Sequence, residues 1–398
     1  MEAGEKMLKT FLQDRSVKNH TSKFIYHLIH QSGPLPKAEV MKLSKLPPTT
    51  LTRLLEEMVT KGLINEAGFG RSSGGRPPVM YKATANAAYI VGIDISRRQT
   101  KVVLVDMAFR VVAQKVFGLT IEQQPAAAIS AMKNVIQELM QECNIHADHL
   151  LGIGIGAVGP LNREEGVILT SRSQSTDSWN RIEIIRELQK DFPLDIIVEN
   201  GANTAALAEY KRNTISNENL LYCISGIGLR CGIITNGHLM QNRTGNISSQ
   251  GHMVIDPKGK KCSCGKRGCW VAYTSLVSLL DETRRIKEMK TDYGYSDFLN
   301  SLKEQDPAAE QAVQESVLYF GIGLSNMINM FHPKSVIMNG PIFDAYPEYF
   351  DEVVRSTKEH LTLFDDSEVH FSRGGLKEEA VSVGAAQLLF DSYFVQPA

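Results

Sequence analysis

Apolar residues in the first part of the chain recur at the three- and four-residue spacing of amphipathic helices. This spacing predicts three helical segments, within residues 22–33, 34–46 and 47–64. Their apolar faces consist of Phe24, Ile25, Leu28 and Ile29 in the first segment, Val40, Leu43 and Leu46 in the second, and Leu51, Leu54, Leu55 and Met58 in the third. Only a short turn separates the second and third segments, which is the spacing of a helix-turn-helix.

The third segment opens with PPTT, residues 47–50, so short polar side chains stand at the helix end that enters a major groove in helix-turn-helix proteins. The candidates for base contacts are Thr49, Thr50, Thr52 and Arg53. A helical hairpin whose threonines simply pack on a neighbour is the alternative for the same pattern.

Two β-like runs follow in LINEAGFGRSSGGRPPVMYKAT, on either side of a loop rich in Gly, Ser, Arg and Pro. Such a hairpin after a helix-turn-helix is typical of a wing. Arg71 and Arg76 lie at its tip, and the proline that follows Arg76 keeps that residue extended, which suits a contact in a minor groove or along phosphates. The wing favours a double-stranded DNA operator as a partner.

From about Ala87 the pattern changes to apolar strands and polar turns, with helical segments such as PAAAISAMKNVIQELMQEC between them. The layout of AYIVGIDISRRQTKVVLVDMAFRVVAQKVF returns in NLLYCISGIGLRCGIITNGHLM. Two copies of one lobe facing across a cleft are typical of the actin and hexokinase type of fold. The predicted fold is α/β, with a winged helix-turn-helix domain over residues 1–85 and a two-lobed domain over residues 86–398.

The composition is that of a globular protein, with 43% apolar and 22% charged residues among 398. No apolar run approaches the roughly 18–20 residues of a membrane span, and the charged N-terminus has no signal-peptide core, so a cytoplasmic protein without a membrane partner is expected. Residues 1–85 contain 13 Lys and Arg against 7 Asp and Glu, and the remainder contains 30 against 37. A basic head agrees with DNA binding, although charge alone does not distinguish it from a solvated helical surface.

The stretch GHMVIDPKGKKCSCGKRGCW, residues 251–270, has one His and three of the six Cys in the chain. This cluster raises three alternatives: a metal site, a redox switch, or part of an enzyme's phosphate site. The remaining Cys143, Cys223 and Cys231 are scattered through apolar segments, unlike the framework of a small disulfide-linked protein. Reduced thiols are therefore expected.

Four segments carry a family resemblance: GIGIGAVGPL, ENGANTAALAE, SGIGLRCGIITNGHL, and GH followed by CSCGKRGC. They resemble the ROK family, which groups bacterial sugar-responsive repressors with sugar kinases. The resemblance covers essentially the whole chain, because a winged head ending in GGRPP is similar to the part that repressor members carry and kinase members lack.

The resemblance implies a zinc site whose ligands are His252, Cys262, Cys264 and Cys269. One imidazole and three thiolates complete a tetrahedral structural zinc site and leave no position open for water. A disulfide or free thiols are the alternatives.

Kinase members need a phosphate cradle and a carboxylate base. Their first phosphate loop reads roughly Asp-x-Gly-Gly-Thr, whereas DISRRQT keeps Asp94 but has Ser96 and Arg97 at the glycines. In the second loop, SGIGLRCG has Arg230 at a glycine position, and the Asp that acts as the family's base is replaced by Gly201. The resemblance therefore implies a body without kinase activity.

Two further carboxylates of the family, both of which bind sugar hydroxyls, are replaced by Ser249 and Val271. The residues of the family's effector site that remain are Gly159, Asn200 and His252. Either the effector is a less polyhydroxylated or a phosphorylated molecule, or the body responds to a protein partner. Arg97, Arg98 and Arg230 favour an anionic ligand unless they are solvated or paired with nearby acids.

The sequence thus predicts a DNA-binding transcriptional regulator, a repressor of carbohydrate-related genes, with a non-catalytic ROK body that responds to a sugar or sugar derivative. The resemblance implies a homodimer or homotetramer, which matches a head that binds the half-sites of a palindrome. The alternatives are a ROK sugar kinase, a regulator controlled by a protein partner, and a binding module whose helix-turn-helix has no DNA affinity.

Overall fold

The computed structural model of the chain describes residues 7–14, 16–70, 77–118, 124–169, 181–212, 218–241, 247–289, 292–362 and 369–394. These residues form a helical head with a small sheet, followed by a body of two α/β lobes. Within these ranges, no helix combines the length and the apolar character that are needed to cross a bilayer.

The head begins the chain. Its elements are α1 (Met7–Gln13), α2 (Val17–Ser32), β1 (Leu35–Pro36), α3 (Lys37–Ser44), α4 (Pro48–Thr60), β2 (Ile64–Phe69) and β3 (Val79–Ala83). The strands form an antiparallel sheet in the order β1-β3-β2. The three predicted helices are confirmed as α2, α3 and α4, and the predicted hairpin as β2 and β3, whereas α1 and β1 were not expected.

Two predicted core positions in the head are wrong, because Phe24 is 51% exposed and Leu43 is 47% exposed. In α2 the residues that turn inward are Ile25, Tyr26 and Ile29. The run FIYHLI is apolar on two neighbouring helix faces, so spacing alone did not fix which face is buried. The predicted core face of α4, by contrast, is buried throughout.

The first lobe follows the head. Its elements are β4 (Tyr89–Ile95), β5 (Thr100–Asp106), β6 (Val111–Phe117), α5 (Pro125–Glu142), β7 (Leu150–Ala157), β8 (Leu161–Asn162), β9 (Val167–Ile168), α6 (Ile184–Gln189), β10 (Asp195–Asn200) and α7 (Gly201–Arg212). Five strands form the sheet β10-β7-β4-β5-β6, and β8 pairs with β9 separately.

The second lobe contains the remaining elements. They are β11 (Leu220–Ser225), β12 (Leu229–Thr235), β13 (His238–Leu239), α8 (Val271–Thr274), α9 (Leu276–Ile286), α10 (Tyr295–Lys303), α11 (Pro307–Phe331), β14 (Ser335–Asn339), α12 (Pro341–Ala345), α13 (Glu348–Glu359), β15 (His370–Ser372) and α14 (Ala380–Ser392). The sheet order is β13-β12-β11-β14-β15.

The two large sheets have the same connectivity. In each sheet, three consecutive strands pair antiparallel, and a fourth strand, β7 or β14, pairs in parallel with the first of the three. A fifth strand, β10 or β15, pairs in parallel with the fourth. The predicted duplication of one lobe is therefore confirmed, and with it the two-lobed α/β fold.

Two helices cross between the lobes at the centre of the body. Helix α7 leaves the last strand of the first sheet and packs on β11 and β12 of the second, while α14 leaves the second sheet and packs on β4 and β7 of the first. The helices also pack on each other, so closely that a Cβ atom at Gly384 would lie 1.8 Å from the carbonyl oxygen of Thr204. Only glycine fits there.

The head packs against the body instead of standing apart from it. Ile25 and Ile29 of α2 belong to the same hydrophobic cluster as Leu389 and Phe390 of α14. The predicted division between residues 85 and 86 falls in the turn between β3 and β4. As a domain boundary, it stays a prediction.

Candidate functional site

The single histidine and three cysteines of residues 251–270 come together in the second lobe. One donor atom from each of His252, Cys262, Cys264 and Cys269 lies within 4.8 Å of all the others. The Cys262 sulfur is 3.4 Å from His252 Nδ1, and the sulfurs of Cys264 and Cys269 are 3.6 Å apart. A tetrahedral zinc ion with Zn–S bonds of about 2.3 Å places its sulfur ligands about 3.8 Å apart, so the arrangement fits such an ion.

Local backbone geometry builds this cluster. His252 ends a 3-10 helix, Ile247–His252. In the cysteine loop, the amide of Cys262 donates to the carbonyl of Lys266, and Gly268 has a φ of +71°. A Cβ atom at Gly268 would lie 1.5 Å from the carbonyl oxygen of Asp256. The close turn thus requires glycine, and it presents the thiols on one side.

Burial and crowding shift the ionisation of these groups. Burial raises the pKa of the Cys269 thiol to about 12, and hydrogen bonds with the neighbouring thiols add to the effect. Burial lowers the pKa of His252, as do Lys266 and Arg97, so the imidazole is neutral and can donate its lone pair. Three crowded thiolates need a bound divalent ion to balance their charge.

A large cleft of about 1730 Å³ separates the lobes. The first lobe contributes Asp94, Ser96, Arg97, Arg98, Gly159 and Pro160 to its walls, and the second contributes Arg230, Ser249, His252, Val271 and the cysteine loop. The positions of the altered kinase loops and of the altered sugar-binding carboxylates therefore face one space.

The three predicted effector residues are not equivalent. Gly159 and His252 line the cleft, whereas Asn200 is fully buried and is not among the described residues that line it. The Asn200 side-chain oxygen accepts a hydrogen bond from the amide of Ala202 at 3.0 Å. Its Nδ2 has no hydrogen-bond partner among the described residues, so the amide keeps an unused donor.

The position at which the resemblance places a kinase's catalytic base is occupied by a glycine beside an arginine. Arg230 Nη1 lies 3.5 Å from the point at which a Cβ atom on Gly201 would stand. Asp94 is half-buried nearby, and desolvation raises its pKa to about 6, although Arg230 and Lys101 oppose the rise. The sequence singled out both exchanges, Asp to Gly and Gly to Arg, but only the fold shows that the two positions meet. Considered together, the two exchanges were the sequence feature that could have indicated this contact.

The candidate DNA-binding residues at the start of α4 differ in exposure. Thr49 is exposed and Thr50 is half-buried. The side chain of Arg53 is 72% exposed and lies 3.8 Å from Glu57. Thr52 donates to the Pro48 carbonyl at 2.7 Å and accepts from Lys37 Nζ at 2.5 Å, so it is held within the head. Arg71 and Arg76 lie outside the described residues.

A pair of buried thiols was not predicted from the sequence. Cys223 and Cys231 stand opposite each other on β11 and β12, with their sulfurs 3.4 Å apart. Both are free, as are the other cysteines. The two cysteines are eight residues apart, with a turn between them. This spacing could have indicated the pairing, since two antiparallel strands bring such positions together.

Comparison with known proteins adds to this geometry. The ROK family model matches residues 90–392. The xylose repressor of Bacillus subtilis (strain 168) is 27% identical and covers 95% of this chain and 96% of its own length. The DNA-binding transcriptional dual regulator NagC of Escherichia coli (strain K12) is 23% identical over 83% of this chain and 82% of its own.

Two solved structures show the likeness of fold. A ROK family transcriptional regulator, a homologue of the E. coli MLC protein, has a TM-score of 0.74 at 23% identity and covers 94% of this chain and 96% of its own. A ROK family glucokinase from Streptomyces griseus, in complex with glucose and AMPPNP, has a TM-score of 0.65 at 21% identity and covers 76% of this chain and 99% of its own. Because the family model matches well over half of the 398 residues, the chain belongs to the ROK family.

Proposed function

We propose that this protein is a transcriptional repressor of sugar-utilisation genes, which binds an operator through its head and a sugar-derived effector in the interlobe cleft. The observation that carries the proposal is a head of helices α2 to α4 and the β2–β3 hairpin, joined to a ROK body that has Gly201 at the position of the kinase base and Arg230 at a glycine of the kinase phosphate loop. The similarity to a xylose repressor along nearly its full length supports it. Such a repressor acts in the cytoplasm.

In the proposed complex, the N-terminal end of α4 enters a major groove of the operator. The hairpin of β2 and β3 lies along the sugar-phosphate backbone of the DNA. The residues proposed to contact DNA are Thr49, Thr50, Thr52, Arg53, Arg71 and Arg76. Arg53 is the best-placed described residue for a base contact, since its guanidinium is mostly exposed and Arg binds guanine through two hydrogen bonds. Thr52 contacts DNA only after releasing Lys37, and so contributes less.

We propose a homodimer or a homotetramer assembled through the body. Two heads related by a twofold axis bind two half-sites whose centres are about 34–36 Å apart, one turn of the DNA helix. The expected operator is therefore an inverted repeat.

The proposed body performs no phosphoryl transfer. Gly201 has no side chain that accepts a proton from a sugar hydroxyl, and loss of a positioned base alone costs roughly 10²–10⁴ in rate. Arg97 further replaces a glycine that would let the backbone approach a phosphate. The cleft is thus a binding site instead of an active site.

We propose a structural zinc ion held by His252, Cys262, Cys264 and Cys269. The bound ion supplies the positive charge that keeps the thiols deprotonated. Because the cysteine loop forms one wall of the cleft, the ion also fixes the shape of the effector site.

Helix α14 is the proposed connection between effector and operator. It starts at the cleft, where Val381 is part of the lining, and ends against the head. There Phe390, and Phe394 just beyond the end of the helix, contact residues of α2. An effector that prefers one arrangement of the lobes shifts operator affinity by at most that preference, typically 1–3 kcal/mol.

The test is selection of chromosomal fragments by the purified chain, followed by sequencing of the bound fragments. The proposal predicts enrichment of a few fragments that share an inverted repeat, close to genes for sugar uptake or breakdown. Uniform recovery of the chromosome contradicts it. A coupled assay for ADP release across neutral sugars, with turnover that disappears in Asp94→Asn, would instead establish a kinase.

A further inference from the structure

We propose that the interlobe cleft binds an anionic sugar derivative, a phosphate ester or a carboxylic acid of a monosaccharide, with its anionic group against the guanidinium of Arg230. This inference rests on the proposed function, in which the cleft holds the effector. It further specifies that the effector is anionic and that Arg230 is the residue that selects it.

The first observation is a reversal of charge at the floor of the cleft. Arg230 extends from β12, opposite Ile224 of β11, towards Gly201 at the start of α7. Its Nη1 atom lies 3.5 Å from the missing Cβ atom of Gly201, so a cation approaches the point from which a carboxylate would extend in a kinase. Arg230 also neighbours Asp94.

The second observation is the charge of the lining. Among the described residues, ten cationic side chains line the cleft: Arg97, Arg98, Lys101, Arg230, Lys260, Lys261, Lys266, Arg285, Lys303 and Lys377. Five acidic side chains of the same described ranges do so: Asp94, Asp281, Glu282, Asp344 and Glu378. The lining therefore carries a clear excess of positive charge, in a protein whose formal net charge is −1. A cleft that concentrates one sign of charge attracts ligands of the other.

Most of these acids already have cationic partners. Glu378 lies 3.4 Å from Lys101, and Glu282 accepts from both Lys260 and Arg285. Asp344 is paired with Arg373, which is not part of the lining. The negative charge of these acids is thus already balanced within the protein.

The third observation concerns the two replaced sugar-binding positions, Ser249 and Val271, which both line the cleft. Valine offers a hydroxyl no hydrogen bond, and serine offers one uncharged oxygen. A neutral sugar would leave several of its hydroxyls without acceptors, which weakens binding. An anionic group instead brings its own acceptors to a site rich in donors, and such charge-assisted hydrogen bonds are the stronger kind.

Both lobes supply cations to the same space. Arg97 and Arg98 come from the turn between β4 and β5, and Lys266 comes from the cysteine loop of the other lobe. Arg97 is close enough to His252 to act on its charge across the cleft. An anion held between these groups would favour the arrangement in which the lobes are closest.

The proposal is tested by calorimetric titration of the full chain with glucose, glucose 6-phosphate, glucuronate and inorganic phosphate at low and high salt. At least one of the two anionic sugars should bind ten-fold or more tightly than glucose, and its affinity should fall as salt rises. Comparison of these two sugars distinguishes a phosphate ester from a carboxylate. Inorganic phosphate should compete with the tighter one.

Variants assign the effect to Arg230. In Arg230→Gln the affinity for the anionic sugar should fall at least ten-fold, while Arg186→Gln, on the exposed face of α6 and paired with Glu183, should bind like the wild type. Arg98→Gln, at an exposed turn, should show a smaller loss of affinity for the anionic sugar. It replaces Arg230→Gln as the test variant if Arg230→Gln does not fold. Glucose binding as tight as that of both anionic sugars, an unchanged affinity in Arg230→Gln and Arg98→Gln, or no binding by any of the four probes would overturn the proposal. Operator affinity without ligand, measured on the wild type, tests the proposed function separately.

Discussion

The ring centroids of His30 and Phe390 lie 4.2 Å apart, where α2 of the head meets α14 of the body. Further along, Phe394 stacks on His27, also at 4.2 Å. Helix α14 is 13 residues long and therefore spans about 20 Å. Since Val381 at its other end lines the cleft, one helix touches both the interlobe cleft and the head.

This contact predicts that Phe390→Leu uncouples the effector from the operator. Leucine keeps most of the apolar volume, so stability should fall by less than about 2 kcal/mol, but the rings of α2 lose their partner. The measurement is the ratio of operator dissociation constants with and without a saturating effector. That ratio should move towards one in Phe390→Leu and stay unchanged in Phe350→Leu, a half-buried residue of α13. An unchanged ratio in both variants would show that α14 does not transmit the signal.

The same interface predicts a dependence of stability on pH. Burial lowers the pKa of His30 to about 4, although the hydrogen bond between its ring and the Met107 carbonyl opposes the shift. In the unfolded chain its pKa is about 6.5. Between these values the unfolded chain binds a proton that the folded one excludes, so stability is lost as the pH falls from about 6.5 to about 4.

The size of this loss is on the order of 3 kcal/mol. Thermal unfolding at pH 7.5 and pH 4.5 measures it by comparing the wild type with His30→Gln, which lacks the titrating group. Between these two pH values, the Tm of the wild type should fall further than the Tm of the variant. Equal losses would mean that His30 is not buried against α14 as described.

A structural zinc ion predicts one zinc per chain in protein purified without added metal. Cys269→Ser should lower the zinc content and the Tm, because a neutral hydroxyl replaces a buried thiolate ligand. Cys143→Ser, outside the cluster, is the matched control and should retain both. A zinc content well below one per chain in the wild type contradicts the assignment and leaves free thiols as the alternative.

Restoring the two lost carboxylates should reverse the preference of the cleft. Ser249→Glu combined with Val271→Glu should increase the affinity for neutral hexoses and pentoses more than the single changes together, since residues of one hydrogen-bonded site couple. The same double variant should bind anionic sugars more weakly through repulsion. Calorimetry on the four proteins checks both effects. Micromolar binding of a neutral sugar by the wild type would show that other groups hold its hydroxyls.

The features that were predictable from sequence are local ones. Helices α2 to α4, the hairpin and the close set of His252, Cys262, Cys264 and Cys269 each lie within a short stretch, where spacing determines geometry. The duplicated lobes were predictable because the strand pattern repeats.

The rest depends on contacts between distant segments. The exposure of Phe24 was not predictable because the packing of α2 on the body selects its buried face. The approach of Arg230 to Gly201 depends on how α7 crosses from one sheet to the other. Asn200 carries the family's pattern, yet its side chain is buried beneath the cleft surface, and no spacing rule reveals that.

The most direct test of the central claim is a fluorescence anisotropy titration of the full chain with its selected operator and with a scrambled duplex, at one fixed salt concentration. Specific binding should exceed binding to the scrambled duplex by at least 10³-fold. Arg53→Ala should relax discrimination at one base pair by about 1–3 kcal/mol, whereas Arg76→Ala should weaken binding to both duplexes, and Arg355→Ala on α13 should change neither. Equal affinities of the wild type for the operator and the scrambled duplex would contradict a DNA-binding repressor.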